Sequence, residues 1–258
     1  MKTKRLIYIF PNLITITYVF AGFLSIHATI QGRYARAALL IILAAVLDAF
    51  DGIIARATGT QSEFGAWLDS LADTFAFGTS TAFLVYFWGL THMATSPAVI
   101  LSFLFLAAGM LRLAGTAVLP RISPDRKYHL GLTAPSAAVM CAGLVLSHPA
   151  PITAGLPTFL TAGLMVVLSL LMVSSLPYRN MFHFNFRRKA DIFTAMAATV
   201  VICACVLYPL CFLLLALVFI LSGPARYFAV ILRPPLSEKE DSPSAEAPPT
   251  APEDAPLS

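Results

Sequence analysis

Long apolar runs broken by short polar stretches set the pattern of the chain. Runs long enough to cross a bilayer as helices fall at roughly 11 to 31, 35 to 56, 64 to 90, 96 to 119, 130 to 148, 153 to 177, 190 to 207 and 209 to 231. The pattern predicts an all-α, polytopic integral membrane bundle of about eight transmembrane helices. The last two are expected to be joined by a tight turn at Tyr208-Pro209. Pro11 is placed to open the first span, where its missing N–H is harmless. Lys2, Lys4 and Arg5 precede it with Leu6, Ile7, Tyr8, Ile9 and Phe10, a lead-in suited to the membrane interface. After about Leu236 the chain turns to Pro, Ser, Ala and Glu. Residues 1–235 therefore read as one membrane domain and 236–258 as a disordered cytoplasmic tail.

Composition strengthens the membrane reading. The chain is 58% hydrophobic and 12% charged, with a mean hydropathy of +0.80, far outside the range of a soluble domain of this length. No cleavable signal peptide is evident, because the first apolar segment lacks a small-residue cleavage site and further spans follow. Cys141, Cys203, Cys205 and Cys211 lie in apolar stretches without a CxxC pair, so buried free thiols are expected. With the N-terminus inside, only Arg33 and Arg36 of the 17 Lys and Arg fall outside, as the positive-inside rule requires. The basic loops at 120 to 129 and 178 to 189 then face the cytoplasm, as topology determinants and contacts for anionic headgroups. No nucleic-acid partner is expected.

Against this background the acids at 48, 51, 69 and 73 stand out. If both flanks are helical, Asp48, Asp51, Gly52 and Ala55 share one face, as do Gly65, Asp69 and Asp73, since three or four positions return a helix to the same side. Gly52 and Ala55 have little or no side chain, so a bulky ligand can approach the backbone. Asp51 and Asp69 lie about one turn from the inner ends of their spans, and Asp48 and Asp73 two or more turns, at ~1.5 Å per residue. The acids are thus expected to meet near the cytoplasmic surface. Carboxylates gathered in this way repel unless cations balance them. Two divalent ions would do so; hard oxygen ligands suit Mg²⁺ or Mn²⁺, and paired metals clamp a phosphoryl group during displacement. A cation- or proton-coupled transporter is the competing reading. It predicts ionisable groups along a path through the membrane, whereas the outer halves of these spans carry none apart from the edge residues Arg33 and Arg36.

Asp48, Asp51, Gly52, Ala55, Arg56, Gly65, Asp69 and Asp73 resemble, position for position, the signature of the CDP-alcohol phosphotransferase family. The resemblance implies a six-helix catalytic core, here with two further helices, in the bacterial inner membrane with the active site facing the cytoplasm. It implies that Asp48, Asp51, Asp69 and Asp73 hold two metal ions and that Asp73 is also the catalytic base toward the acceptor alcohol. Asn12, Gly52, Ala55, Arg56, Ser62 and Gly65 would contact the CDP portion of a CDP-diacylglycerol donor. A homodimer among membrane lipids is implied in the same way.

Several segments look like the phosphatidylserine synthase branch of that family, which makes L-serine the favoured acceptor. They are Pro-Asn-Leu-Ile-Thr at 11 to 15, the stretch from Ser70 to Gly78, Arg112-Leu-Ala, the stretch from Gly131 to Ala138, Leu171-Met-Val-Ser, and Pro177-Tyr. Tyr18 stands where that branch usually has Asn. Gly115-Thr116-Ala117 replaces an expected Arg, aromatic and Asn, and Thr133 replaces the first of two expected prolines. These departures remove partners a serine carboxylate would want, so inositol, glycerol 3-phosphate and choline remain alternative acceptors. Arg112, in the last turns of the fourth span, is the candidate cation for that carboxylate.

Overall fold

The computed structural model describes residues 2–58, 62–118, 128–153, 155–174 and 177–179. Its helices are α1 (Lys2–Ile30), α2 (Tyr34–Thr58), α3 (Glu63–Asp73), α4 (Ser80–Val85), α5 (Thr95–Val118), α6 (Ala134–Ser147) and α7 (Leu156–Val173). Two wider π-helical stretches, Thr74–Thr79 and Tyr86–Leu90, join α3 and α4 into one rod over residues 63–90. Three-residue strands β1 (Tyr128–Leu130) and β2 (Pro177–Arg179) pair antiparallel, with Tyr128 opposite Arg179. The architecture is otherwise helical.

Apolar segments of α1, α5 and α7 (Asn12–Ile30, Thr95–Thr116 and Leu156–Val173) are long and apolar enough to cross a membrane. Large apolar side chains such as Phe20, Phe23, Phe103, Leu111, Phe159 and Leu170 cover the outside of the bundle. That distribution suits contact with hydrocarbon and makes this an integral membrane protein.

Two sequence expectations need correction. The first helix begins at Lys2, so Pro11 lies inside α1 rather than opening it. The fifth and sixth spans are also shorter than expected, because residues 128–130 and 177–179 leave the helices to pair with each other. Gly131 explains the change. Its φ of +75° suits glycine, and a Cβ there would lie 2.6 Å from the Met172 carbonyl oxygen and 2.8 Å from that of Ser174. Leu132 N–H donates to Leu171 O at 3.0 Å, so the chain entering α6 is tied to the last turn of α7. The expected spans at 190 to 207 and 209 to 231, the Tyr208-Pro209 turn and the tail lie outside the described residues.

Close helix contacts set the remaining geometry. Helix α1 ends in a paired-bond cap, with Gly32 N–H donating to Thr29 O and Arg33 N–H to Ala28 O, and Gly32 at φ +71°. The cap returns the chain directly into α2, which packs along α1 through buried Ala37, Ala38, Ile41 and Ala44. Small side chains permit that approach, and buried Ser25 Oγ donates across it to Ala37 O at 2.9 Å. Farther along α1, a Cβ on Gly22 would meet Ala76 Cα at 2.8 Å, while Ser80 Oγ donates to Gly22 O at 2.9 Å. Helix α1 is thereby pressed against the π-helical stretch just after Asp73.

Candidate active site

The up-and-down course of the helices brings one end of each of α1, α2, α3 and α5 together, at the end of the bundle labelled inner and opposite the one labelled outer. Asp48 comes from α2, and Asp69 and Asp73 from successive turns at the end of α3. A carboxylate oxygen from each lies within 4.8 Å of those of the other two. Asp73 is buried, and Asp48 and Asp69 are half-buried. Three carboxylates this close need compensation, and Asp73 Oδ1 is buried with no hydrogen-bond partner among the described residues. An orphaned buried carboxylate oxygen amid hard oxygen donors fits a divalent cation.

Asp51 is buried one turn beyond Asp48, outside this trio, and accepts a hydrogen bond from Thr15 Oγ1 on α1. Its charge still interacts with those of Asp48 and Asp69. Tyr18, one turn after Thr15, is fully buried and donates its hydroxyl to Asp69 Oδ1 at 2.9 Å. Sequence reasoning assigned chemistry to neither Thr15 nor Tyr18. The available signal was their spacing: positions 15, 18 and 22 share one face of α1, and polar residues there have to meet something polar.

The other candidate residues divide by region. Ser62 caps α3, its Oγ accepting from Gly65 N–H at 3.0 Å. A Cβ on Gly65 would lie 3.1 Å from Ser62 Oγ and 3.7 Å from Asn12 Oδ1, so Asn12, Ser62 and Gly65 gather at one spot beside the α3 N-terminus. Gly52 is half-buried in α2 next to Asp51. Ala55 and Arg56 continue α2, and their side chains lie outside the described residues. Arg112 is half-buried near the end of α5. Its Nε is buried without a hydrogen-bond partner among the described residues, and its charge interacts with that of Asp73. A Cβ on Gly115 would meet nothing within 4 Å among the described residues.

The class is thus a membrane-embedded helical bundle with buried and half-buried carboxylates converging at one end, beside the capped N-terminus of α3 and the half-buried Arg112. The chain belongs to the CDP-alcohol phosphatidyltransferase family, whose model matches residues 8–174. It is 34% identical over 180 residues to a CDP-diacylglycerol–serine O-phosphatidyltransferase of Helicobacter pylori, covering 67% of this chain and 73% of the relative. A protein of the same name from Methanocaldococcus jannaschii is 33% identical over 142 residues, 54% of this chain and 61% of the other. The archaetidylserine synthase of Methanothermobacter thermautotrophicus is 32% identical over 171 residues, 65% and 68% of the two chains.

Proposed function

We propose that this protein transfers the phosphatidyl group of CDP-diacylglycerol to the hydroxyl of L-serine, giving phosphatidylserine and CMP. Family membership and the names of its relatives support the reaction class and the acceptor. The observation that carries the site is the trio of Asp48, Asp69 and Asp73, with Asp73 Oδ1 buried and unpartnered among the described residues.

Asp48, Asp51, Asp69 and Asp73 would hold two divalent cations, Mg²⁺ or Mn²⁺. When bound, these neutralise the diphosphate and stabilise the charge that develops on departing CMP. Asn12, Ser62 and Gly65, with Gly52, Ala55 and Arg56 from the end of α2, receive the CDP headgroup while the acyl chains stay among the lipids. Asp73 takes the proton from the serine hydroxyl. The serine oxygen then forms its bond to the lipid-side phosphorus as the phosphorus–oxygen bond to CMP breaks. Arg112, whose Nε is unpartnered among the described residues, pairs the serine carboxylate.

The full chain is read as eight spans, a six-helix catalytic core plus two, over residues 1–235 with a cytoplasmic tail at 236–258. It would work as a homodimer in a bacterial inner membrane, with the site on the cytoplasmic side. The deciding experiment supplies labelled CDP-diacylglycerol with L-serine, inositol, glycerol 3-phosphate or choline and follows CMP and lipid products. Serine-dependent CMP release with phosphatidylserine as product is expected. Turnover with another alcohol and none with serine would reassign the acceptor.

A further inference from the structure

Tyr18 is a bulky phenol with 0% exposure in the region where, among the described residues, Asp48, Asp69 and Asp73 gather. A buried phenol needs a hydrogen-bond partner, and this one is found 51 residues away on a different helix, at Asp69 Oδ1. The phenol position is itself fixed. Its ring stacks on fully buried Phe77, with centroids 6.0 Å apart and planes 16° from parallel. Phe77 belongs to the π-helical stretch that begins directly after Asp73. One turn along α1 from Tyr18, the close approach of Gly22 to Ala76 and the Ser80–Gly22 hydrogen bond fix the backbone against the same stretch. Ring, backbone and hydroxyl are thus all referenced to the segment that carries Asp69 and Asp73.

The phenol is neutral, so it orients a carboxylate without supplying the positive charge that a lysine or arginine would bring into competition with a cation. It donates to Oδ1 of Asp69, with the backbone oxygen of the same residue 3.3 Å away. We propose that Tyr18 is a positioning residue of the metal centre: its hydroxyl holds Asp69 through Oδ1 so that the second carboxylate oxygen can join Asp48 and Asp73 around a divalent cation. The assignment rests on the metal reading given above. Outer partners that orient a ligand typically change metal affinity 10- to 100-fold when removed.

The test is Mn²⁺ binding by the full-length, chelator-stripped protein in detergent, measured without substrate from the loss of the free-ion paramagnetic resonance signal. Tyr18→Phe keeps the ring on Phe77 and removes only the hydroxyl. The expected result is a rise in the Mn²⁺ dissociation constant of about tenfold, with little change in the melting temperature of the metal-free protein. Ser25→Ala deletes another buried hydroxyl of α1, one bonded to Ala37 O away from the acids, and should leave Mn²⁺ affinity as in the wild type. It separates loss of positioning from general loosening of the helix. Tyr18→Phe binding Mn²⁺ as tightly as wild type would overturn the proposal, as would an equal loss of affinity in Ser25→Ala. A wild-type protein that takes up no Mn²⁺ would instead remove the metal reading, and this assignment with it.

Discussion

The two ends of the bundle treat buried polarity in opposite ways. At the outer end, fully buried Trp88 donates its indole N–H to His148 O at 2.9 Å, with Ala150 O at 3.0 Å, and accepts from Ile152 N–H at 2.8 Å. This clasp ties the rod to the connection between α6 and α7. Away from the acids, the unpartnered buried side-chain atoms among the described residues are Thr81 Oγ1 and Thr158 Oγ1, both neutral hydroxyls. At the inner end, the atoms unpartnered among the described residues belong to an acid and a guanidinium, Asp73 Oδ1 and Arg112 Nε. An unmet hydroxyl costs little beside an unmet ionisable group, so the inner end is arranged for something other than stability. The lesson is a division of labour along one set of helices: the outer end closes the bundle and the inner end waits for charge.

Substitutions should divide along the same line. Asp73→Asn is nearly isosteric, yet it is a poor base and a weaker cation ligand, and transfer should fall by at least about a thousandfold. Thermal stability of the purified variant should hold or rise, because one member of a repelling trio is gone. A CMP-release assay beside a melting curve measures both, and near-normal turnover would take Asp73 out of the mechanism. Chelation with EDTA should bring wild-type activity to background, with recovery on adding Mn²⁺ or Mg²⁺. Activity that survives exhaustive chelation would break the contrast at its inner end.

Arg112→Ala is expected to raise the KM for serine by about tenfold while moving that for the lipid donor less, since a desolvated carboxylate pair is at stake. Steady-state titration of each substrate separates the two. Trp88→Phe should do the reverse of Asp73→Asn. Losing the indole donor should lower the melting temperature by roughly 5 °C and leave turnover per folded molecule within about twofold. A large loss of turnover there would show that the ends are coupled.

Much of the inner end was legible in the sequence. The expected spans at 35 to 56, 64 to 90 and 96 to 119 became helical segments over 34–58, 63–90 and 95–118, because uninterrupted apolar runs of that length have few other ways to satisfy their backbone in lipid. The convergence of Asp48, Asp69 and Asp73 followed from their three- and four-residue spacings and from depth. The same periodicity put Asp51 in this group, but it fixes only a sector of the helix, so the bond from Thr15 on α1 to this carboxylate could not be read from it. Tyr18 was visible only as an unusual residue, because its meaning depends on which helix crosses α1 at that level. The pairing of residues 128–130 with 177–179 was hidden for the same reason: Gly131 marks a break, but not the carbonyls of α7 that close on it.

The rod over residues 63–90 has one further consequence. A π-helical turn holds one residue more than an α-helical turn, so each such stretch acts as a phase correction, equivalent to a single inserted residue. Two of them lie in this rod, one directly after Asp73 and the other containing Trp88. Winding Thr74–Thr79 as regular α-helix with every residue kept would swing Asp69 and Asp73 about 100° around the axis relative to everything downstream. The acids would leave Asp48 and Tyr18 while the outer clasp kept its place. The two stretches thus let a single helix aim its two ends independently, one at the carboxylate of α2 and the other at the carbonyls before α7.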